Sequence, residues 1–163
     1  MTIFPLPMLM MQTVVHMTEP ASVAEQYAQA HDGKVYDESR DAAADVDAAL
    51  IHAAASGKRV IVVMGANWCH DSQSLGRRFE IPRFAAMMQP RYEIVYVDVG
   101  KPQTGNGRNL DLAERFDAKK IKGTPTVLIL SPQGKLLNKK DAGSGRNAAS
   151  RSEDDVFAYF RGL

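Results

Sequence analysis

Apolar residues recur at helical spacing through the alanine-rich segment 41–58, which stops near Gly57, and this pattern predicts a helix. Three later segments predict strands, at 59–67, 92–100 and 124–131; the first is almost continuously apolar, as expected of a strand buried on both faces. Further helical patterns predict a helix that begins just after Cys69 and is bent or divided at Pro82, and two more helices at 109–118 and 152–163.

Turn residues after the third strand predict a hairpin. The stretch PQGK, residues 132–135, is typical of a tight turn, and residues 136–143 would return antiparallel to the strand before it. The resulting order is helix, strand, helix, strand, helix, strand, strand, helix. This order predicts an α/β layer with a parallel central pair and an antiparallel hairpin at one edge.

Residues 1–40 lack this regularity and are expected to form a tail or adaptor segment, which leaves 41–163 as the domain. The N-terminus is apolar, but Pro5 and Pro7 interrupt it and no Lys or Arg precedes Lys34. A secretory signal has a basic start and a longer apolar run. We therefore expect a cytoplasmic protein, with the periplasm as the alternative.

The composition is that of an ordinary globular protein, with 45% hydrophobic and 24% charged residues. The formal net charge of +1 gives no reason to expect nucleic acid or an anionic membrane as a partner. No segment approaches the roughly 20 apolar residues that a membrane-spanning helix needs. We expect a monomer that works without nucleic acid or membrane.

The stretch GANWCHDSQSL, residues 65–75, contains the only tryptophan and the only cysteine of the chain. Cys69 lies where a buried strand runs into a helix start, and the unpaired amides and helix dipole at such a place favour an anion. A thiolate there is stabilised and reactive at neutral pH. The alternative is that Cys69 is a small buried hydrophobic residue, but its polar neighbours from Asn67 to Ser72 favour a reactive thiol.

A second feature is the proline of KGTPTVLIL, residues 122–130. Pro125 lacks an amide hydrogen, so it should begin the strand or lie on an unpaired edge. The bond between Thr124 and Pro125 is a candidate for the cis form, with an ordinary trans bond as the alternative.

Together, ANWCHDS and GTPT resemble the thioredoxin superfamily and, more narrowly, bacterial thioredoxin-like proteins labelled disulfide isomerases. The resemblance covers about residues 41–163 and implies a thioredoxin fold, with a central mixed four-stranded sheet flanked by helices. It also implies that Cys69 is the nucleophile and that Trp68 lies beside it. Pro125 would face the sulfur, and backbone groups of Thr124 would receive an extended substrate segment.

Two residues depart from the family pattern. Ser72 stands where thioredoxins have the resolving cysteine, and Val63 stands where they have a buried aspartate. Ser72 can hydrogen-bond the Cys69 thiolate but cannot attack a mixed disulfide, so one chain cannot complete a dithiol cycle. His70 is a candidate to tune the thiolate by its charge or to pass a proton; the alternative is an exposed polar residue of the first helical turn.

These residues lead to two functional expectations. The first is monothiol thiol–disulfide exchange by Cys69 on protein thiols and disulfides, as an isomerase or a reductase-like enzyme. A substrate thiol or glutathione would release the product, and no other cofactor is expected. The second is a non-catalytic peptide-binding or chaperone-like adaptor. No metal is expected, because His16, His31 and His52 show no ligand spacing.

Overall fold

The computed structural model describes residues 34–118 and 120–163. Its helices are α1 (Ala42–Ser56), α2 (His70–Glu80), α3 (Pro82–Met88), α4 (Asp111–Arg115) and α5 (Glu153–Arg161). Its strands are β1 (Arg59–Gly65), β2 (Tyr92–Asp98), β3 (Gly100–Lys101), β4 (Asn106–Gly107) and β5 (Thr126–Leu130). Short 3₁₀ segments occupy Pro102–Thr104 and Ser144–Ser150. None of the described helices is both long and apolar enough to cross a bilayer.

β1 is the centre of a three-stranded sheet with the order β2–β1–β5. It runs parallel to β2 and antiparallel to β5, so that Val63 lies opposite Tyr96 on one side and Val127 on the other. Every residue of β1 after Arg59 is buried, as expected of a strand covered on both faces. The predicted α/β class, with a mixed sheet flanked by helices, is confirmed.

The expectation of a fourth strand in this sheet is wrong, because the chain after the PQGK turn does not pair regularly. It makes one isolated bridge with β5, between Leu130 and Leu136. The buried amide of Asn138 takes the place of a strand backbone. Its Oδ1 accepts the Ile129 N–H (2.9 Å), and its Nδ2–H donates to the Val127 carbonyl (2.8 Å). These side-chain bonds occupy backbone groups that a fourth strand would have used.

α1 packs against β1 and β2 and begins and ends at defined caps. The Asp41 carboxylate accepts the Ala44 N–H (3.1 Å) at its start. Gly57 adopts a left-handed conformation at its end (φ 74°), as predicted. The alanine-rich sequence lets the helix approach the sheet closely, and its buried residues are Ala42, Val46, Ala49 and Ala53.

The helix after Cys69 is divided at Pro82, as predicted, because Pro82 takes the first position of α3, where its missing N–H breaks no hydrogen bond. α5 then packs its aromatic rings on both halves. The rings of Phe79 and Phe160 are 4.9 Å apart and those of Phe84 and Phe157 are 5.2 Å apart, each pair nearly perpendicular.

Val35 and Tyr36, which precede the expected domain, are buried in the core. The ring of Tyr36 packs edge-on against Tyr96, with the centroids 5.8 Å apart. The packed chain therefore extends at least to Val35. The division between residues 1–40 and 41–163 stays a prediction, because residues 1–33, including the apolar N-terminus, lie outside the described residues.

Candidate functional site

Cys69 is the residue at which α2 begins. After β1 the chain makes a short turn, in which the Cys69 N–H donates to the Ala66 carbonyl (3.1 Å). Cys69 then takes the N-cap position with an extended backbone (φ −89°, ψ 117°), and its carbonyl accepts the Gln73 N–H (3.0 Å). The residue is partly exposed. The Cys69 sulfur therefore lies at the N-terminus of α2, where backbone N–H groups without helical partners and the helix dipole favour an anion.

The loop before β5 meets the same sulfur. The Cys69 Sγ lies 3.4 Å from the carbonyl oxygen of Thr124, to which the thiol donates. The next residue, Pro125, is buried, and the peptide bond between Thr124 and Pro125 is cis. Gly145 packs against the proline, since a Cβ at residue 145 would lie 3.2 Å from the Pro125 Cγ. The fold brings together two motifs that are 55 residues apart.

Ser72 lies in the first turn of α2 and is fully buried. Its Oγ has no hydrogen-bond partner among the described residues. The expected hydrogen bond from Ser72 to the sulfur is therefore not formed in this structure, in which the Cys69 thiol donates to the Thr124 carbonyl. The hydroxyl lies three residues after Cys69, in the first turn of the same helix.

The two residues between Cys69 and Ser72 differ in role. His70 is the first residue of α2, and its side chain is exposed and forms no ion pair with the described residues. Asp71 accepts the Ala149 N–H through Oδ1 (2.8 Å), which ties the first turn of α2 to the 3₁₀ segment before α5. Asp71 is thus an anchor of the helix start, whereas His70 is open to solvent.

Trp68 lies on the other side of Cys69 in the chain, with 51% of its surface exposed. Its indole N–H donates to the Gly100 carbonyl (2.8 Å) and holds the ring against the β3–β4 hairpin. Gly100 pairs with Gly107 in a small second sheet, so this part of the chain is a short hairpin. Gly100 and Gly105 have positive φ (61° and 79°), which lets the chain close this tight turn.

Tyr36 and Asn67 are site residues that the sequence did not reveal. The Asn67 Oδ1 accepts the Tyr36 N–H (3.1 Å), and its Nδ2–H donates to the Tyr36 carbonyl, so one side chain pairs with a whole backbone unit. The Tyr36 hydroxyl donates to the Ser72 carbonyl (3.1 Å). The only hint in the sequence is Gly65, because a Cβ there would lie 2.5 Å from the Tyr36 ring.

Two ionisable groups near the site have altered acidity. Burial raises the pKa of Tyr36 well above its usual range, so its hydroxyl stays protonated and remains a donor. Burial also raises the pKa of Asp98, against the opposing effects of the Gly100 N–H (2.8 Å) and of Arg108 (3.5 Å). The carboxyl of Asp98 is therefore less acidic than that of an exposed aspartate.

The structure offers no obvious place for a metal in the part that it describes. Within residues 34–118 and 120–163, no three His, Cys, Asp or Glu side chains are grouped closely enough to hold an ion. His16 and His31 lie outside the described residues.

Comparison with solved structures finds several similar proteins. A disulphide isomerase from Xylella fastidiosa Temecula1 has 30% identity and a TM-score of 0.68, over 77% of this chain and 92% of that chain. An HIV epitope scaffold and a protein of unknown function from Pseudomonas aeruginosa each have 22% identity and a TM-score of 0.37. The scaffold match covers 71% of this chain and 74% of that one, and the P. aeruginosa match covers 70% and 73%. No curated protein matches the chain.

A family model described as Thioredoxin-like matches residues 41–132, more than half of the chain. The match includes both Cys69 and Pro125, which the structure brings to one site. The sequence and the structural relative agree with it. The chain therefore belongs to the thioredoxin-like family.

Proposed function

We propose that this protein carries out thiol–disulfide exchange on protein substrates with Cys69 as its only sulfur nucleophile. The observation that carries the proposal is the position of the Cys69 Sγ, partly exposed at the start of α2 and 3.4 Å from the Thr124 carbonyl. The resemblance to a structure described as a disulphide isomerase supports the same chemistry. Open amides at the helix start stabilise the thiolate that such chemistry requires.

The first step is attack of the Cys69 thiolate on one sulfur of a substrate disulfide. A bond forms between Cys69 and that sulfur, the substrate S–S bond breaks, and the second substrate sulfur leaves as a thiolate. In this proposal Thr124, as the family resemblance implies, offers backbone groups to the extended segment that carries this disulfide. Trp68 precedes Cys69 in the chain and, with half of its surface exposed, would offer an apolar contact to the substrate.

The second step needs a thiol from outside this chain, because Ser72 has no sulfur and no other cysteine is present. If another thiolate of the substrate attacks the mixed disulfide, a new substrate disulfide forms, Cys69 is released, and no electrons are exchanged overall. This outcome is isomerisation. If glutathione attacks, two glutathione molecules are oxidised for each substrate disulfide reduced. A glutathione-dependent cycle fits a cytoplasmic protein, with the periplasm as the alternative.

Ser72 and His70 are proposed to support the thiolate. The buried Ser72 hydroxyl has no competing partner among the described residues, so it is available to donate to the sulfur once the thiol has lost its proton. His70 is the first residue of α2 and is exposed, so in its protonated form it adds positive charge near the sulfur.

The direct test is the rate of Cys69 alkylation as a function of pH, beside a refolding assay on a protein with scrambled disulfides. We expect Cys69 to be alkylated faster at neutral pH than the thiol of an unstructured peptide under the same conditions. Refolding activity should depend on Cys69 and should rise when glutathione is added, with Cys69→Ala as the control. Strong disulfide reduction by the wild type with no added thiol would contradict the mechanism, because one sulfur cannot complete that cycle.

A second candidate function is a peptide-binding or chaperone-like adaptor that does not use its thiol. Ser72 favours it, because a buried hydroxyl occupies the position of the resolving cysteine. In that case Cys69→Ala would bind unfolded protein as well as the wild type does and would prevent its aggregation equally. Loss of both properties in this variant would exclude the adaptor.

A further inference from the structure

A cleft of about 740 Å³ opens beside Trp68. One wall is the segment from Lys34 to Ser39, and the opposite wall is the β3–β4 hairpin with Arg108. Trp68 itself lines the cleft, and Cys69 is the next residue in the chain. A group bound in this cleft would therefore lie close to the reacting sulfur.

Side-chain contacts hold the two walls in place. Arg108 donates to the Glu38 carboxylate (2.7 Å) and so joins the hairpin wall to the N-terminal wall. The Trp68 indole N–H fixes the hairpin through the Gly100 carbonyl. Asn67 fixes the N-terminal wall by pairing with both backbone groups of Tyr36. The cleft is thus a built feature with three separate supports.

The charged side chains of the cleft are not equally satisfied. Six of them line it and sum to zero: Lys34, Asp37, Glu38, Asp98, Lys101 and Arg108. Arg108 is shared by the Glu38 and Asp98 carboxylates (2.7 and 3.5 Å).

The third carboxylate, that of Asp37, accepts the backbone N–H (2.9 Å) and the hydroxyl (2.7 Å) of Ser39. Lys34 and Lys101 make no ion pair with the described residues. Lys34 and Lys101, one on each wall, are therefore the charged side chains of the cleft that have no hydrogen-bonded or ionic partner among the described residues.

We propose that this cleft binds a carboxylate of a peptide whose cysteine reacts at Cys69. This inference rests on the proposed function and assigns it a substrate preference, for disulfides that have acidic groups nearby. Lys34 and Lys101 would pair with the carboxylate from the two walls, while the exposed face of Trp68 covers its aliphatic part. Both an acidic side chain of a protein substrate and the free carboxylates of glutathione have this chemistry.

Binding can be measured without any reaction, because Trp68 is the only tryptophan and lines the cleft. The Cys69→Ala protein is titrated with three probes that lack tryptophan: a short peptide with glutamates beside its cysteine, the same peptide with glutamines, and reduced glutathione. We expect the glutamate peptide to change the fluorescence of Trp68 at lower concentration than the glutamine peptide does. The difference should shrink as salt is added.

The lysines are tested in the same background. The double substitution Lys34→Gln and Lys101→Gln should weaken binding of the glutamate peptide by about three- to tenfold, as expected for two partly exposed ion pairs. Lys135→Gln is the matched control, because Lys135 is exposed on the PQGK turn and does not line the cleft. Glutathione binding that depends on the two lysines would identify the small tripeptide as a source of the carboxylate, beside or instead of the protein substrate.

Equal binding of the glutamate and glutamine peptides, with glutathione unaffected by the lysine substitutions, would overturn the inference. The proposed function would survive that result if Cys69 still exchanged with both peptides. Conversely, a protein that binds the glutamate peptide through Lys34 and Lys101 but has an inert Cys69 would retain the cleft and lose the chemistry.

Discussion

Tyr36 joins three parts of the site through one buried side chain and its own backbone. Its hydroxyl holds the Ser72 carbonyl, its peptide groups pair with Asn67, and its ring packs against Tyr96 in β2. A residue outside the two motifs thus positions the first turn of α2, on which the orientation of the Cys69 sulfur depends.

Replacing Tyr36 by Phe keeps the ring and removes the hydroxyl. We expect a loss of about 1 kcal/mol of stability at neutral pH, the usual worth of one hydrogen bond. Burial raises the pKa of Tyr36, so above about pH 10 the unfolded state loses its proton first and the wild type loses stability as the pH rises. The Phe variant has no hydroxyl to ionise at this position. The difference in the free energy of unfolding between the variant and the wild type should therefore become smaller at strongly alkaline pH.

Urea unfolding at neutral and alkaline pH measures both effects. Tyr159→Phe is the matched control, because the Tyr159 hydroxyl has no hydrogen-bond partner among the described residues. A Tyr36→Phe deficit that stays constant across the pH range would show that the buried hydroxyl does not titrate as argued.

Ser72 gives the opposite prediction at the same scale. Its hydroxyl is buried and has no hydrogen-bond partner in residues 34–118 and 120–163, so Ser72→Ala removes a desolvated polar group and breaks no hydrogen bond seen in that part of the chain. Stability should stay within about 1 kcal/mol of the wild type or rise. Thr126→Val is the comparison, since the equally buried Thr126 hydroxyl donates to the Gly123 carbonyl (2.9 Å) and its loss should cost about 1 kcal/mol. A large cost for Ser72→Ala, measured by urea unfolding, would mean that the hydroxyl has a partner in solution.

Cys69, Ser72 and Pro125 could be predicted from the sequence because each belongs to a short motif whose chemistry is local. Tyr36 and Asn67 could not, since their pairing joins positions 31 residues apart and leaves no periodic pattern in either segment. The residues that hold the site in place are therefore less visible in a single sequence than the residues that react.

At the scale of elements, the N-terminal segment packs against β1 and α2 at two glycines, where the absence of a side chain leaves space for its residues. Val35 packs against Gly76 in the middle of α2, and Tyr36 packs against Gly65 at the end of β1. A glycine within a helix lowers the stability by about 1 kcal/mol relative to alanine. The close contact with Val35, and not the preference of the helix, therefore explains the glycine at residue 76.

Gly76→Ala should therefore destabilise the protein, although alanine is the better helix former. The new Cβ would lie 2.4 Å from the Val35 Cγ1, and relieving such a contact in a packed core costs about 1–3 kcal/mol. In a Val35→Ala background both Cγ atoms are removed and only the Cβ of residue 35 stays nearby, at 3.3 Å, so Gly76→Ala should cost much less stability than it does in the wild type. The four proteins form a double-mutant cycle by urea unfolding, and additive effects would disprove the contact.

The alternation of helices and strands could be predicted because apolar periodicity and turn residues are local signals. The missing fourth strand could not, because it depends on one side chain. Residues after the PQGK turn have the apolar start expected of a strand, yet Asn138 turns inward and bonds the β5 backbone at two points. The hairpin at Gly100 likewise depends on the anchoring of Trp68, which is a tertiary contact.

At the scale of the whole molecule, the site is the meeting point of several chain segments at one end of the sheet. The two family motifs supply the sulfur and the proline loop, and residues 34–39 and the β3–β4 hairpin supply the cleft. The opposite end of α2 contributes to stability, because Phe79 there packs against Phe160 of α5. Reactivity and stability are thus placed at the two ends of one helix.

This separation predicts that removing the contact between Phe79 and Phe160 lowers the free energy of unfolding without changing the reactivity of Cys69. Phe160 is 2% exposed, and its truncation to alanine should cost about 3–5 kcal/mol in urea unfolding. Phe157→Ala should cost less, since that ring is only partly buried.

Neither substitution should change the alkylation rate of Cys69, because ten residues of helix, about 15 Å, separate its sulfur from Phe79. Under conditions in which the Phe160→Ala protein is fully folded, its alkylation rate at each pH should match that of the wild type. A different pH profile would mean that the packing around Phe79 affects the reactivity of Cys69. It would contradict the proposal that the two ends of α2 act independently.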